Sequence, residues 1–300
     1  MNTLVVLVGP TGIGKTDLSI ALAKHLNSPI ISSDSRQFYK ELLIGTAPPT
    51  PQQLLEVQHY FIHSRSINED YTSGKFEQDA LALMAELFKT HNRLLMVGGS
   101  GLYIDAVCRG IDAIPSTHNE LRNTIIARLE NEGLHALQQE LERLDPLTYQ
   151  EIDINNPQRV MRALEVCITS GKRYSDLKQI KAKKRGFNIV KIGLNRDREE
   201  LYQRINLRVD KMVEEGLLEE ARSLYPQRNL NGLKTVGYKE LFDYFDGAIT
   251  FDKAVELIKR NSRRYAKRQL TWFARYNDIH WLHPDDLTGV IVAVDKHTSS

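Results

Sequence analysis

The chain has 300 residues, with 40 Lys and Arg against 38 Asp and Glu and a formal net charge of +2. That length, at 41% hydrophobic residues, allows a sizeable core in one large domain or two modest ones. The charge balance excludes a polycation, so any nucleic-acid surface must come from local clusters of Lys and Arg. Leu4 to Val8 is a short, continuous apolar run, as for a strand buried on both faces of a parallel sheet. Gly9 to Gly14 reads as a turn, and Lys15 to Leu26 as a helix with Leu18, Ala21, Leu22 and Leu26 on one face. Pro29 to Ser33 predicts a second strand ending at Asp34. A polar loop broken by Pro48, Pro49 and Pro51 follows, then helical period over Phe76 to Phe88. Leu94 to Val97 predicts a third buried strand, closed by Gly98 and Gly99. Alternation of this kind predicts an α/β fold, a P-loop doubly wound parallel sheet.

From Pro115 the texture changes. Leu121 to Leu144 and Pro157 to Thr169 are amphipathic helical stretches, the second started by Asn156-Pro157 and stopped by Gly171. A basic segment, Lys172 to Arg185, closes the stretch. Residues 115–185 are therefore expected to form an all-helical insertion domain, with 1–114 and 186–300 forming the core. Ile189 to Leu194 returns to the sheet, long helices are predicted at 198–224 and 251–275, and the last ten residues read as a loose tail. No apolar run reaches membrane-spanning length and no leader is expected, so a cytoplasmic setting is the default. Cys108 and Cys167 lie in apolar neighbourhoods and read as buried thiols. His59 and His63 are four apart but have no third ligand nearby, so no zinc is expected.

Gly9-Pro10-Thr11-Gly12-Ile13-Gly14-Lys15-Thr16 matches G-x-x-x-x-G-K-[ST] between a buried strand and a helix. Glycines let backbone N–H groups converge on phosphate oxygens, and the helix start and Lys15 add positive charge. The Thr16 hydroxyl is placed to coordinate Mg²⁺. The motif does not say which phosphate compound is bound. The third strand ends without the acid that usually helps to hold Mg²⁺ in nucleotide hydrolases. The available carboxylate is Asp34, which either serves the chemistry or caps the Ser33-Asp34-Ser35 turn. Arg204, Arg208 and Lys211 share one helix face, which composition alone reads as a solvated basic face. Lys259, Arg260, Arg263, Arg264, Lys267, Arg268 and Arg275 form an acid-free basic stretch interleaved with Tyr265, Trp272 and Phe273. Phosphate contacts with stacking aromatics suit a splayed RNA loop, although the aromatics also fit a core face. A small-molecule kinase and an RNA-binding nucleotide switch are the competing readings. A kinase has no use for basic segments in three regions, and a switch would need an acid beside the P-loop.

The P-loop combined with Ser33-Asp34-Ser35-Arg36-Gln37-x-Tyr39, Ile44-Gly45-Thr46-Ala47 and Gly98-Gly99-Ser100-Gly101-Leu102-Tyr103 is far more specific. So are Asn156-Pro157-Gln158-Arg159-x-x-Arg162-Ala163-Leu164-Glu165, Val236-Gly237-Tyr238 and Lys267-Arg268-Gln269-x-Thr271-Trp272. Together they resemble the bacterial tRNA dimethylallyltransferases over nearly the whole chain. The resemblance implies transfer of the five-carbon group of dimethylallyl diphosphate to the N6 amine of the adenosine 3′ of a tRNA anticodon. It implies Mg²⁺ as cofactor, Asp34 as general base, Ser100 beside the reacting base, and Lys15 and Arg208 on the diphosphate. The implied tRNA contacts are Asp34, Ser35, Arg36, Gln37, Ser100, Arg122, Gln158, Arg159, Val160, Met161, Arg162, Lys234, Lys239, Lys267 and Arg268. A monomer that binds a tRNA anticodon stem-loop, and no membrane, is expected. Ile13 stands where the family often has Ser, and Pro48 where it often has Lys.

Overall fold

A computed structural model describes residues 1–112, 114, 119–178 and 183–298. It separates into two compact units, Met1–Arg109 with Arg185–Ser300, and Gly110–Lys184. Pro115, where the sequence places the boundary, lies outside the described residues.

The first unit opens with β1 (Thr3–Val8), α1 (Lys15–Leu26), β2 (Ile30–Ser32), α2 (Pro51–Glu56), β3 (His59–Tyr60), α3 (Ser73–Leu87), β4 (Arg93–Gly98) and α4 (Gly101–Arg109). The second holds α5 (Asn119–Leu144), α6 (Pro146–Glu151), α7 (Pro157–Ser170) and α8 (Tyr174–Leu177). The chain then returns to the first unit with β5 (Asn188–Leu194), α9 (Arg198–Glu214), α10 (Leu217–Leu224), α11 (Tyr238–Phe245), α12 (Phe251–Phe273), β6 (Ile279–Leu282) and α13 (Leu287–Thr298). Its six strands form one parallel sheet in the order β3-β2-β4-β1-β5-β6.

The central strand shows why its sequence is apolar throughout. Val5 and Leu7 face a core with Leu22 of α1, Ile205 of α9 and Val290 of α13. Leu4, Val6 and Val8 face the opposite core with Phe76 of α3 and Ile104 of α4. Helices therefore cover both faces, and the P-loop follows the carboxyl end of the innermost strand, where open α/β sheets bind ligands. A third core joins Leu42, Val209, Leu217, Leu233, Tyr238 and Ile258 around α9 to α12.

Three expectations are corrected here. The tail is the helix α13, because Val290 and Val294 pack against the sheet with no exposed surface. The helix expected over 198–224 is two helices, broken where Gly216 takes φ 101°. The sheet also gains β3 and β6, two and four residues long, too short to show a period. Cys108 and Cys167 are both buried free thiols, and burial pushes the Cys108 thiol up to about 12. Among the described residues no helix is long and apolar enough to cross a membrane.

In the second unit α5 is interrupted at Gly133, with φ 79° and ψ 169°, and its apolar face meets α7 through Ile125, Leu137, Leu141, Val160 and Leu164. Asn156 caps α7 through Gln158 and Arg159 N–H groups, and Pro157 occupies its first turn. Asp145 has no exposed surface and accepts from the Thr148 N–H and hydroxyl and the Ser175 N–H and hydroxyl, at 2.6–3.0 Å. Burial alone would raise its carboxyl, but these four bonds hold it down at about 2. The folded value is depressed, so its stabilisation is present above the usual aspartate range and lost as pH falls towards 2. Asp145→Ala should cost about 2–3 kcal/mol at pH 7. Unfolding curves of variant and wild type should converge as pH falls from 4 to 2; a gap that persists there would remove the carboxylate from this account.

Candidate active site

Between β1 and α1 the P-loop is shaped by its glycines. Gly12 and Gly14 take φ 77° and 105°, a region that disfavours side chains, and a Cβ on Gly12 would lie 2.8 Å from Ile205. Gly9 and Pro10 are buried, and Ile13 is a core residue with no exposed surface, so it offers the loop only its backbone. The Lys15 ammonium donates to Gly9 O at 2.9 Å and Pro10 O at 2.8 Å. Desolvation pulls its pKa down to about 8, partly opposed by the field of Asp34 and reinforced by Arg208. Such an ammonium gains strongly from an anion. Arg208, on α9, donates to the carbonyls of Thr46 and Ala47 at 3.3 and 3.4 Å. Its pKa is lowered by burial and supported by Asp34. Arg204 is exposed, as a solvated face requires, and its Nε also donates to Gly12 O at 3.1 Å.

Asp34 follows β2. Its Oδ1 accepts the Arg36 N–H at 2.9 Å, so it does cap the turn, while its charge also acts on Lys15, Arg208 and Tyr265. Ser100, 8% exposed, accepts from Ser35 N–H at 3.0 Å and donates to the Ser35 hydroxyl at 3.1 Å. Burial raises the Tyr265 phenol, with Asp34 adding to the rise and a Ser100 hydrogen bond opposing it. Tyr265 thus stands at the site, whereas Phe273 is core and Trp272 is tied to Asp105 at 3.1 Å.

One residue central to this geometry carried no role in the sequence reading. Gln269, 6% exposed, accepts the Thr11 N–H and donates to Gly99 O, both at 2.9 Å. It bolts the P-loop to the end of β4, and a Cβ on Gly99 would fall 2.2 Å from its Nε2. Its sequence position shows only a Gln that follows Lys267 and Arg268.

Lys15, Asp34, Arg204, Arg208, Tyr265 and Gln269 line one cleft of about 1030 Å³, together with Thr16, Ser35, Arg36, Gln37, Lys234, Lys239 and Arg268, while Ser100 is bonded to the lining residue Ser35. Thr16, a hydroxyl residue, is part of its lining, and among the described residues no cluster of three His, Cys, Asp or Glu could hold a metal. That donor set fits Mg²⁺ held by one hydroxyl, waters and substrate phosphates. It does not fit an all-protein metal cage.

A family model described as IPP transferase matches residues 37–276. The tRNA dimethylallyltransferase 2 of Parabacteroides distasonis is 54% identical over 296 residues, 99% of each chain. The tRNA dimethylallyltransferase 1 of Phocaeicola vulgatus is 51% identical over 97% of each chain. The chain belongs to the IPP transferase family. The family model begins after the P-loop, but these relatives span it. Among solved structures, the tRNA isopentenylpyrophosphate transferase of Bacillus halodurans superposes with TM-score 0.74 at 36% identity, over 100% of this chain and 97% of that one. A eukaryotic dimethylallyltransferase acting on tRNA gives TM-score 0.79 at 26% identity, over 99% of this chain and 77% of that one.

The remaining residues expected of an IPP transferase divide by exposure. Lys234, Lys239, Lys267 and Arg268 are exposed on the first unit. Elsewhere in the basic stretch, Lys259 is ion-paired with Asp210 at 2.5 Å and Arg263 bonded to Asn206 at 2.5 Å, so these two serve packing of α12 on α9. In the second unit Gln158 and Arg159 are exposed, and buried Glu165 pairs with Arg122 and Arg162, each at 3.3 Å. Val160 and Met161 are 0% and 3% exposed in that unit's core. Their side chains pack inward, so any contact of these two residues with RNA falls to their backbone.

Proposed function

We propose that this IPP transferase moves the dimethylallyl group of dimethylallyl diphosphate to the exocyclic N6 amine of the adenosine 3′ of the anticodon in tRNA. The observation that supports the reading is the cleft in which Lys15 of the P-loop, Arg208 of α9 and Asp34 lie beside exposed Lys234, Lys239 and Arg268, with Ser100 bonded to the lining residue Ser35. The diphosphate lies on the P-loop, with Lys15 and Arg208 as counter-charges. Mg²⁺, when bound through Thr16, neutralises further charge on the leaving group. The allylic carbon–oxygen bond breaks and its electron pair leaves on diphosphate, where Lys15 and Arg208 meet the growing charge. The N6 lone pair forms the new carbon–nitrogen bond, and its proton passes to the free oxygen of Asp34. Adenine must leave its stack to reach this point, which is easiest in a single-stranded loop. Ser35, Arg36, Gln37 and Ser100 are read as contacts of that base, and Gln158, Arg159, Arg122 and Arg162 as contacts of the insertion with the anticodon stem-loop. The reading takes the protein as a monomer acting in the cytoplasm. The deciding experiment follows radiolabel from dimethylallyl diphosphate into unmodified tRNA. Label that stays in the donor, with purified folded protein, would end this reading.

Lys267 and Arg268 are read as phosphate contacts. Each Ala substitution should remove about one released counterion, reducing the slope of log K against log salt by roughly 0.7–0.9. The double variant should raise KM for tRNA and leave KM for dimethylallyl diphosphate unchanged. Parallel salt lines for variant and wild type would return these side chains to ordinary solvated surface.

A further inference from the structure

The segment after Leu42 has no regular structure, yet it supplies one wall of the cleft through Gly45, Thr46 and Ala47. It is held from outside by Glu220 of α10. One carboxylate oxygen accepts the N–H groups of Leu43 and Ile44 at 2.8 and 2.7 Å. The other accepts the Gly45 N–H at 2.9 Å and the Tyr238 hydroxyl at 2.6 Å. Three consecutive backbone N–H groups on one carboxylate form an anion nest. Tyr238 is fully buried, and a Cβ on Gly45 would lie 2.6 Å from its hydroxyl, so the segment lies flush against the phenol.

What this nest fixes is the next two carbonyls. Thr46 O accepts Gln37 Nε2 at 3.2 Å and Arg208 at 3.3 Å. Ala47 O accepts the same two groups at 3.1 and 3.4 Å. Ala47 sits at φ 42°, a conformation that a non-glycine residue keeps only when its surroundings impose it. Arg208 is thus aimed by two carbonyls whose own placement depends on the Glu220 nest.

We infer that Glu220 is a positioning residue: it acts through the segment 43–47 to hold Arg208 and Gln37 at the diphosphate end of the cleft. Glu220 itself does not line the cleft. The inference rests on the proposed donor site for its substrate, though not for its geometry.

Glu220→Ala should raise KM for dimethylallyl diphosphate about ten- to a hundredfold, as misplacement by roughly 1 Å does, with KM for tRNA within about twofold. Formate at high concentration should restore KM, because it can enter the emptied nest and accept the same N–H groups. Glu220→Gln should show the loss without the rescue, since its NH₂ fills the space and opposes those donors. Arg208→Ala and Glu220→Ala together should cost less than the sum of the two, because one acts through the other. Tyr238→Phe removes one donor and keeps the packing, and should give a smaller rise in the same KM. Unchanged donor KM in both Glu220→Ala and Tyr238→Phe, or full additivity with Arg208→Ala, would overturn the inference. Calorimetric binding of inorganic diphosphate separates it from the function proposed above. Weaker diphosphate binding in Glu220→Ala that formate restores sustains the role of Glu220 even if wild type prenylates no tRNA. Equal diphosphate binding by wild type and variant would refute it whether or not label reaches tRNA.

Discussion

Lys15→Ala should reduce kcat/KM for dimethylallyl diphosphate by about 10³-fold or more and leave tRNA affinity within roughly twofold. The lower bound follows from the effect of removing one preorganised donor to a developing oxyanion, about 10²- to 10³-fold, raised here because the donor carries a full charge. The structure adds a reason for a severe effect. The ammonium is desolvated and its two hydrogen-bond partners are the neutral carbonyls of Gly9 and Pro10. A group held in that way is a charge waiting for an anion. Arg208 cannot replace it, because its guanidinium is directed by the Thr46 and Ala47 carbonyls. Single-turnover transfer and tRNA binding, measured on the same preparation, check both halves. Loss of tRNA affinity in step with turnover would show that donor and RNA sites are not separable.

How much of this was legible in the sequence depends on how local the determinant is. The P-loop is a contiguous string whose strand, glycines and helix start are all set within sixteen residues, so the motif and its place in the sheet could be read together. Gln269 is different. Its partners are Thr11 and Gly99, separated from it by 258 and 170 positions, and no local pattern marks a Gln for such a bridge. Glu220 likewise meets Leu43 to Gly45 across 175 to 177 positions. Two other features do have a local signal. Leu287, Val290, Ile291 and Val294 have the spacing of one buried helix face that runs into the last ten residues. Val160, Met161 and Leu164 carry the same kind of face inside a motif read for its polar residues. Motif resemblance marks where contacts gather, while periodicity decides which side chains of that stretch are free to make them.

Asp34→Asn should lower kcat by about 10²- to 10⁴-fold, the range for a positioned general base, with donor KM unchanged or slightly reduced. The substitution is informative because Asp34 caps a turn and is also the proposed proton acceptor. Its Oδ1 accepts the Arg36 N–H, and an amide oxygen can keep that bond, so the turn should survive in the Asn variant. What Asn cannot do is take a proton from N6, and it also withdraws the negative charge felt by Lys15, Arg208 and Tyr265. Loss of that charge removes some repulsion against diphosphate but also some support for the two cations, so the effects on donor binding oppose each other. The chemical step has no such compensation. Asp34→Ala supplies the control: it removes both the base and the turn contact, so a further fall beyond Asn measures the capping role alone. Near-normal kcat in Asp34→Asn would assign the residue to the turn only. The proton acceptor would then have to be sought elsewhere.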